Sequence, residues 1–429
     1  MSHAGSGGKE RDMISSAARR FEYGDLPYAP TLPGMWCTVA ATHRDRNFVV
    51  SAREDGKTER ITYGDADDRS RELARSLLDL GVIKGTRVGI LAPNGPDFAI
   101  AFLAATRIGA VAVPVNTFFQ PPELAWVLRH AAIHTLLVVP SFLGKDILAR
   151  IEAALPGLAS SGPAMLLGSA PHLRHVVALR DADRAWLSRP CRSGDVDIVA
   201  ACESAVRAAD DLVVIYTSGS RAEPKGVIHT HGPAIRHSHF IASGHEWTPS
   251  DPVYVPVAFF WVGGLVFGLL GPMQLGVTIL TEHRFDPGIV LRLLQEERAT
   301  YATGFPHVGP ALANHPAFAS TDLSSLREGY QQVLLTSDRR AVDPTLRVAQ
   351  LGMTETCSSH TWWPPHESLP EEKRGSLGVS APGFEHKIVD ERGQTVDPGI
   401  VGEICVRGHA LMRGVVGLAR EEVFDSDGW

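Results

Sequence analysis

Val213-Val214-Ile215-Tyr216-Thr217-Ser218-Gly219-Ser220-Arg221-Ala222-Glu223-Pro224-Lys225-Gly226-Val227 is the stretch on which the reading of this chain turns. A β-branched apolar run predicts a buried strand. It ends abruptly in hydroxyls, glycines and a lysine. Small residues allow a tight turn and close approach of a ligand, and hydroxyls, free amides and a lysine are what phosphate oxygens bind. The pattern is not a Walker A loop, which needs Gly, four residues, then Gly-Lys-Ser/Thr. Taken alone, the stretch fits two readings: a phosphate-cradling loop at the end of a strand, or a polar turn between two surface strands.

Upstream, strand and helix signals alternate. Arg60–Tyr63 is a short strand, and a helix follows over 65–80 with Leu73, Leu77 and Leu78 on one face. Strands are expected at 87–91, 110–115 and 135–139. Helices opening at Asn94-Gly95-Pro96-Asp97 and Pro121-Pro122-Glu123 separate them, ending near Arg107 and His130. This spacing argues for βαβ units and a parallel sheet, hence an α/β fold. Residues 156–172 and 180–210 read as loops around a strand at 176–179. Downstream of the opening stretch come a helix at 231–242, strands at 254–257 and 277–280 around a Gly-rich helix, a helix from Asp286-Pro287 to about Arg298, and short strands at 301–303 and 347–350. Past residue 376, Phe384–Asp390 and Gly402–Val406 read as antiparallel strands around a turn at 391–394.

These shifts suggest a disordered lead-in over 1–12, a first α/β subdomain over 13–210, a second over 211–375 and a β-rich subdomain over 376–429. The 429 residues are 44% hydrophobic and 21% charged, which supplies a large core, and the net charge of −7 gives no nucleic-acid footprint. Five scattered cysteines without a CxxC pair fit neither a disulfide framework nor a zinc site and point to a cytoplasmic location. The polar N-terminus lacks the apolar core of a signal peptide. Residues 252–281 carry no charge, but Pro256, Pro272 and five glycines favour a buried strand–helix–strand unit over a membrane span.

Three ordered motifs resemble one family: Tyr216–Val227, Gln350-Leu351-Gly352-Met353-Thr354-Glu355-Thr356, and Gly402-Glu403-Ile404-Cys405-Val406-Arg407-Gly408. Together they are similar to the adenylate-forming superfamily of acyl- and aryl-CoA ligases, peptide-synthetase adenylation domains and luciferases. Gly109–Asn116, Phe260–Leu265 and Ser325-Leu326-Arg327 add support, so the resemblance runs over about 35–429. It implies a large domain of two β-sheets flanked by helices plus a small distorted β-barrel. It also implies the substrates ATP and coenzyme A, with Mg²⁺, and a two-step reaction in which a carboxylic acid becomes an acyl-adenylate and is then passed to a thiol. By the same resemblance Thr217, Ser218, Gly219, Ser220, Arg221 and Lys225 hold the triphosphate. Gln350, Leu351, Gly352, Met353 and Thr354 line the nucleotide, Thr354 and Glu355 serve the chemistry, and Glu355 binds Mg²⁺.

The chain departs from the family pattern in four places. Arg221 and Ala222 replace a Thr-Gly pair at the loop tip; Arg can pair with phosphate, while Ala enters the left-handed region less readily than Gly. Glu328-Gly329-Tyr330-Gln331-Gln332 stands where a Gly-Gly-Ala-Pro-like loop is usual, and this places Gly329 and Tyr330 near the acyl group. Leu351 replaces the aromatic that stacks on adenine. Trp261 replaces a frequent histidine, and with Phe259, Phe260 and Gly264 it suggests an apolar pocket for a hydrophobic acid, although plain core packing explains those aromatics equally well. No aspartate is placed there to receive an amino acid's ammonium.

The resemblance further implies a small C-terminal domain with a reacting lysine. The sequence stops short of it, and is expected to be the N-terminal portion of a longer enzyme. The expected function is therefore an acyl-CoA ligase for a hydrophobic carboxylic acid. The alternatives are an enzyme that loads an acyl carrier protein and a non-catalytic nucleotide- or acyl-binding module. The partners expected are the acid and CoA, with a homodimer allowed for.

Overall fold

The computed structural model describes residues 25–189, 197–217, 223–348 and 350–429. The lead-in over 1–12 and the loop residues Ser218, Gly219, Ser220, Arg221 and Ala222 lie outside them.

Two sheets carry the architecture. The first has seven strands in the order Gly414–Val415, Lys225–Thr230, Asp211–Thr217, Val111–Pro114, Arg87–Leu91, Thr135–Val138, His175–Ala178. The last five of these run parallel; Lys225–Thr230 is antiparallel to them, and the edge strand Gly414–Val415 pairs antiparallel with it. The second has six strands in the order Glu328–Gly329, Tyr301–Ala302, Pro252–Tyr254, Thr278–Glu282, Asn47–Ala52, Thr58–Thr62, parallel except for the final pair. Both sheets take strands from either side of residue 211, so a division there does not separate them.

Helix Pro96–Arg107 is buried at nearly every position and lies between the sheets, touching strands of both. Its inward Arg107 is fully enclosed, with ion pairs to Asp67 (2.9 Å) and Glu203 (2.6 Å) and a hydrogen bond to Ser70 Oγ (2.7 Å). A buried guanidinium is tolerated only when paired in this way. The pairing ties helix Tyr63–Asp79 to helix Asp197–Ala205, which falls in the stretch expected to be loop.

Other differences from the sequence expectation have local causes. Helix Leu32–Thr42 was not anticipated, although Thr31 accepts a hydrogen bond from Gly34 N as a cap and Pro33 sits in the first turn. Strand Pro252–Tyr254 ends earlier than expected, just before Pro256, which lacks an N–H to pair. No strand forms at the described residues of the expected 347–350: Pro344–Leu346 forms a 3₁₀ turn capped by Asp343, and Arg347 donates to the Pro365 carbonyl. The nearest strand, Gly352–Met353, begins later and pairs with Ser358–Ser359.

The uncharged stretch 252–281 folds as strand, loop, wide π-type helical turns over Gly263–Leu270, a short helix Gly271–Gln274 and strand. No helix among the described residues is long and apolar enough to cross a membrane. In the C-terminal part, Phe384–Val389 pairs antiparallel with Glu403–Gly408, and Thr361–Trp362 with Val379–Ser380. Gly414–Val415 then returns to the edge of the seven-stranded sheet.

Candidate active site

The opening stretch is a hairpin. Asp211–Thr217 and Lys225–Thr230 pair antiparallel, with Lys225 opposite Thr217. Thr217 sits at the carboxyl end of a strand that is parallel to its neighbour Val111–Pro114. Ligands of α/β sheets gather at such ends. Of the two sequence readings, the turn between strands is present as connectivity, although Asp211–Thr217 is a buried strand and not a surface one.

Thr354-Glu355-Thr356 forms a single 3₁₀ turn beside this hairpin. It is held from two directions. His229 Nε2, on the second hairpin strand, donates to the Thr354 carbonyl at 2.8 Å. The Met412 amide donates to the Glu355 carbonyl at 2.8 Å. Burial keeps His229 neutral, with its pKa pushed down to about 4, so it acts as a fixed donor.

The chain leaves this turn through two left-handed non-glycine residues, Cys357 (φ +56°) and Ser358 (φ +113°). Such backbone costs energy and persists where its surroundings dictate it. Here Thr356 Oγ1 donates to the Ser358 carbonyl at 2.7 Å and also contacts the Met353 carbonyl at 3.1 Å.

The Glu355 carboxylate lies 3.7 Å from Lys225 Nζ, and both side chains are partly exposed. Leu351 N donates to Thr361 Oγ1 at 2.8 Å, and the Leu351 carbonyl accepts from His360 N. Gln350 Nε2 donates to the Trp363 carbonyl at 3.4 Å. Gly352 and Met353 are exposed. Gly329 and Tyr330 line a cavity of about 250 Å³ with Glu328 and Arg347, at the outer strand of the six-stranded sheet.

The three aromatic candidates are placed differently from one another. Phe259 is fully enclosed against Phe98, with ring centroids 5.4 Å apart. Phe260 is buried, and Trp261 is 42% exposed. Gly264 packs on the preceding backbone: a Cβ there would lie 2.0 Å from the Ala258 carbonyl oxygen.

Two aromatics that the sequence reading missed complete a belt. Ring centroids run Phe118–Phe260 at 6.2 Å, Phe260–Trp261 at 5.2 Å and Trp261–Phe305 at 6.4 Å. Phe118 is 58% exposed and Phe305 43%. Phe118 follows strand Val111–Pro114, Trp261 follows Pro252–Tyr254 and Phe305 follows Tyr301–Ala302, so all three lie past the carboxyl ends of parallel strands. That common position was the signal available in the sequence.

No group of three or more His, Cys, Asp or Glu side chains able to hold a metal occurs among the described residues. A single carboxylate does not disqualify Mg²⁺, which is commonly held by one or two carboxylates together with substrate phosphates. Glu355, a hard oxygen ligand already facing a cation, fits that role.

An AMP-binding enzyme family model matches residues 37–416. The chain belongs to that family, and within it to the adenylate-forming, acyl-CoA ligase-like proteins. It is 30% identical over 405 residues to 4-coumarate–CoA ligase 5 of Oryza sativa subsp. japonica, across 91% of this chain and 70% of that protein. Among solved structures, the anthranilate CoA ligase AuaEII in complex with anthranoyl-AMP shares the fold at TM-score 0.74 and 20% identity, over 95% of this chain and 78% of that one. The N-terminal domain of FACL13 from Mycobacterium tuberculosis shares it at TM-score 0.70 and 22% identity, over 93% of this chain and 94% of that one.

Proposed function

We propose that this chain activates a hydrophobic, ring-bearing carboxylic acid with ATP and passes the acyl group to the thiol of coenzyme A. The observation that carries the reading is the meeting of Lys225 and Glu355 at 3.7 Å, on two segments far apart in sequence. One supplies a phosphate partner and the other a magnesium ligand. The hairpin base at Thr217, with Ser218, Gly219, Ser220 and Arg221 beyond it, receives the triphosphate. Thr354 offers a hydroxyl, and the segment Gln350–Met353 flanks the nucleoside.

In the first step an oxygen of the acid attacks the α-phosphorus, and the bond to the pyrophosphate oxygen breaks. In the second, a thiolate attacks the acyl carbonyl and AMP leaves. Mg²⁺ bound at Glu355 would neutralise phosphate charge. The protein's own contribution is alignment and fixed charge, which is how such transfers are accelerated. Phe118, Trp261 and Phe305 offer flat apolar faces to the acid, with Tyr330 and Gly329 as a further lining. One relative, 4-coumarate–CoA ligase 5, is named for a ring-bearing acid. The free cysteines among the described residues accord with a reducing, cytoplasmic setting.

The test is acid-dependent exchange of labelled pyrophosphate into ATP across a panel of aryl and alkyl acids, alongside binding of acyl-sulfamoyl-adenosine analogues. Exchange and tight binding with aryl members are expected. No exchange and no analogue binding with any member would overturn the reading. Thioester formation with free CoA, compared with a holo-carrier protein, identifies the acceptor.

A further inference from the structure

The side chain of Asn94 bridges the two sheets at their carboxyl ends. It is 7% exposed and lies between strand Arg87–Leu91 of the seven-stranded sheet and helix Pro96–Arg107. Its Oδ1 accepts from the Phe259 amide at 2.7 Å. Its Nδ2 donates to the Val257 carbonyl at 2.9 Å and to Thr281 Oγ1 at 3.0 Å. The orientation of the amide is fixed by its partners, since the Phe259 N–H can only donate and the Val257 carbonyl can only accept. Gly95, at φ +144°, lets the backbone turn from strand to helix straight after this residue.

Three groups are thus placed by one carboxamide. Val257 and Phe259 belong to the loop that presents Phe260 and Trp261. Thr281 is on strand Thr278–Glu282 and is fully buried. The loop's own strand ends at Tyr254, so across the gap between sheets it is held by the Asn94 carboxamide together with the packing of the Phe259 ring on Phe98 and of Phe260 on Phe118. A buried hydrogen-bond set of this kind specifies one geometry when complete and is costly when one member is lost.

We propose that Asn94 is a positioning residue for the acid site: it sets the height and tilt of the Phe260–Trp261 segment from the opposite sheet, and so sets which acyl groups fit. This inference rests on the acid-site reading given above. It assigns selectivity to a residue that touches neither nucleotide nor acid.

The experiment compares Asn94→Ala, Asn94→Asp and Thr281→Val in the 429-residue chain. Two readouts are needed: amide hydrogen exchange of the 257–262 segment, and affinities for AMP and for aryl and alkyl acyl-sulfamoyl-adenosines. Asn94→Ala is expected to raise exchange at Phe259 and to weaken aryl analogues about tenfold, the equivalent of one lost hydrogen bond to a buried group, with AMP affinity unchanged. Asn94→Asp keeps the acceptor for Phe259 and loses both donations, so it is expected to fall between. Thr281→Val removes one donation only and is expected to shift selectivity least. If Asn94→Ala does not fold, the ordering of the other two carries the test. Folded Asn94 variants with unchanged Phe259 exchange and unchanged acyl selectivity would overturn the proposal. Absence of analogue binding by the parent chain would instead overturn the acid-site reading, while the exchange data would still decide whether Asn94 holds the loop.

Discussion

The acid side and the phosphate side of the candidate site are built on opposite terms. On the acid side, Phe259 is fully enclosed, and its amide is bonded to a buried Asn94 that has all its partners. On the phosphate side, Lys225 and Glu355 meet as a partly exposed pair, 50% and 28% accessible at their side chains, on a turn fixed through its backbone carbonyls. The acid side is therefore firmly packed at its base, while Trp261, Phe118, Phe305 and Tyr330 reach solvent. At the Thr354–Glu355 turn the backbone is held, while the Lys225 and Glu355 side chains reach solvent. A pocket that selects among acids gains from rigidity. A cradle that must exchange one cation for another as nucleotide binds gains from exposed charges, which cost little to rearrange.

The contrast breaks most readily at Phe259. Phe259→Ala is expected to cost about 3–5 kcal/mol of stability, because it opens a cavity against Phe98 that the surrounding core cannot fill. Urea unfolding measures it. A cost below about 1 kcal/mol, the range of surface changes, would mean that the acid side is not the rigid member of the pair. Glu355→Gln should do the reverse. It is expected to slow pyrophosphate exchange about 100-fold, or roughly 2.7 kcal/mol in the barrier, while leaving the unfolding midpoint nearly unchanged. Equal losses of exchange and stability would show that Glu355 is a structural group.

This difference also explains what the sequence could disclose. Strands 87–91 and 211–217 and helices 96–107 and 121–130 were legible because apolar runs, proline starts and turn residues are local signals. The Thr354-Glu355 turn was legible by its resemblance to a family motif. Asn94 was read only as part of a turn, since its partners lie 163 to 187 positions away. Phe118 and Phe305 escaped for the same reason: a ring in a loop has no periodicity. His229 carries no sequence mark of its role, which arises because the hairpin brings it under Thr354, 125 positions on. No strand forms at the described residues of 347–350, where Asp343 caps a 3₁₀ turn just before them and the Arg347 side chain donates to the Pro365 carbonyl, pairings that residue patterns do not show.

A pH titration probes the ground beneath the phosphate side. His229, His231, His237 and His245 are buried, and desolvation pushes their pKa values to about 4, 4, 3 and 3 from an ordinary 6.5. Each is neutral in the fold and takes up a proton on unfolding below pH 6.5. Their stabilisation is fully present above that value and is lost as pH falls toward their folded values. Each group contributes a slope of about 1.4 kcal/mol per pH unit in that window. Buried Glu282 acts with the opposite sign. Its pKa is raised to about 7 by burial, so its stability is lost as pH rises from 4.5 through 7. Four groups outweigh one, so thermal melts should drop steeply between pH 6.5 and 4. A midpoint that is flat across that range would show these histidines to be hydrated.

The smallest expected effect sharpens the comparison most. If Lys225 merely neutralises Glu355 until Mg²⁺·ATP arrives, Lys225→Ala should change the unfolding free energy by less than about 1 kcal/mol, as exposed ion pairs do. It should nonetheless weaken nucleotide binding, because the phosphate partner is gone. The salt dependence separates the two contributions. The exposed pair is screened over about 8–10 Å at physiological salt, so the parent's stability should hardly respond to added NaCl, while its ATP affinity should fall and that of Lys225→Ala should fall less. Titration calorimetry at two salt concentrations reads this directly. Equal salt sensitivity in parent and variant would show that Lys225 does not meet the phosphates, and would leave its pairing with Glu355 as a feature of the hairpin edge alone.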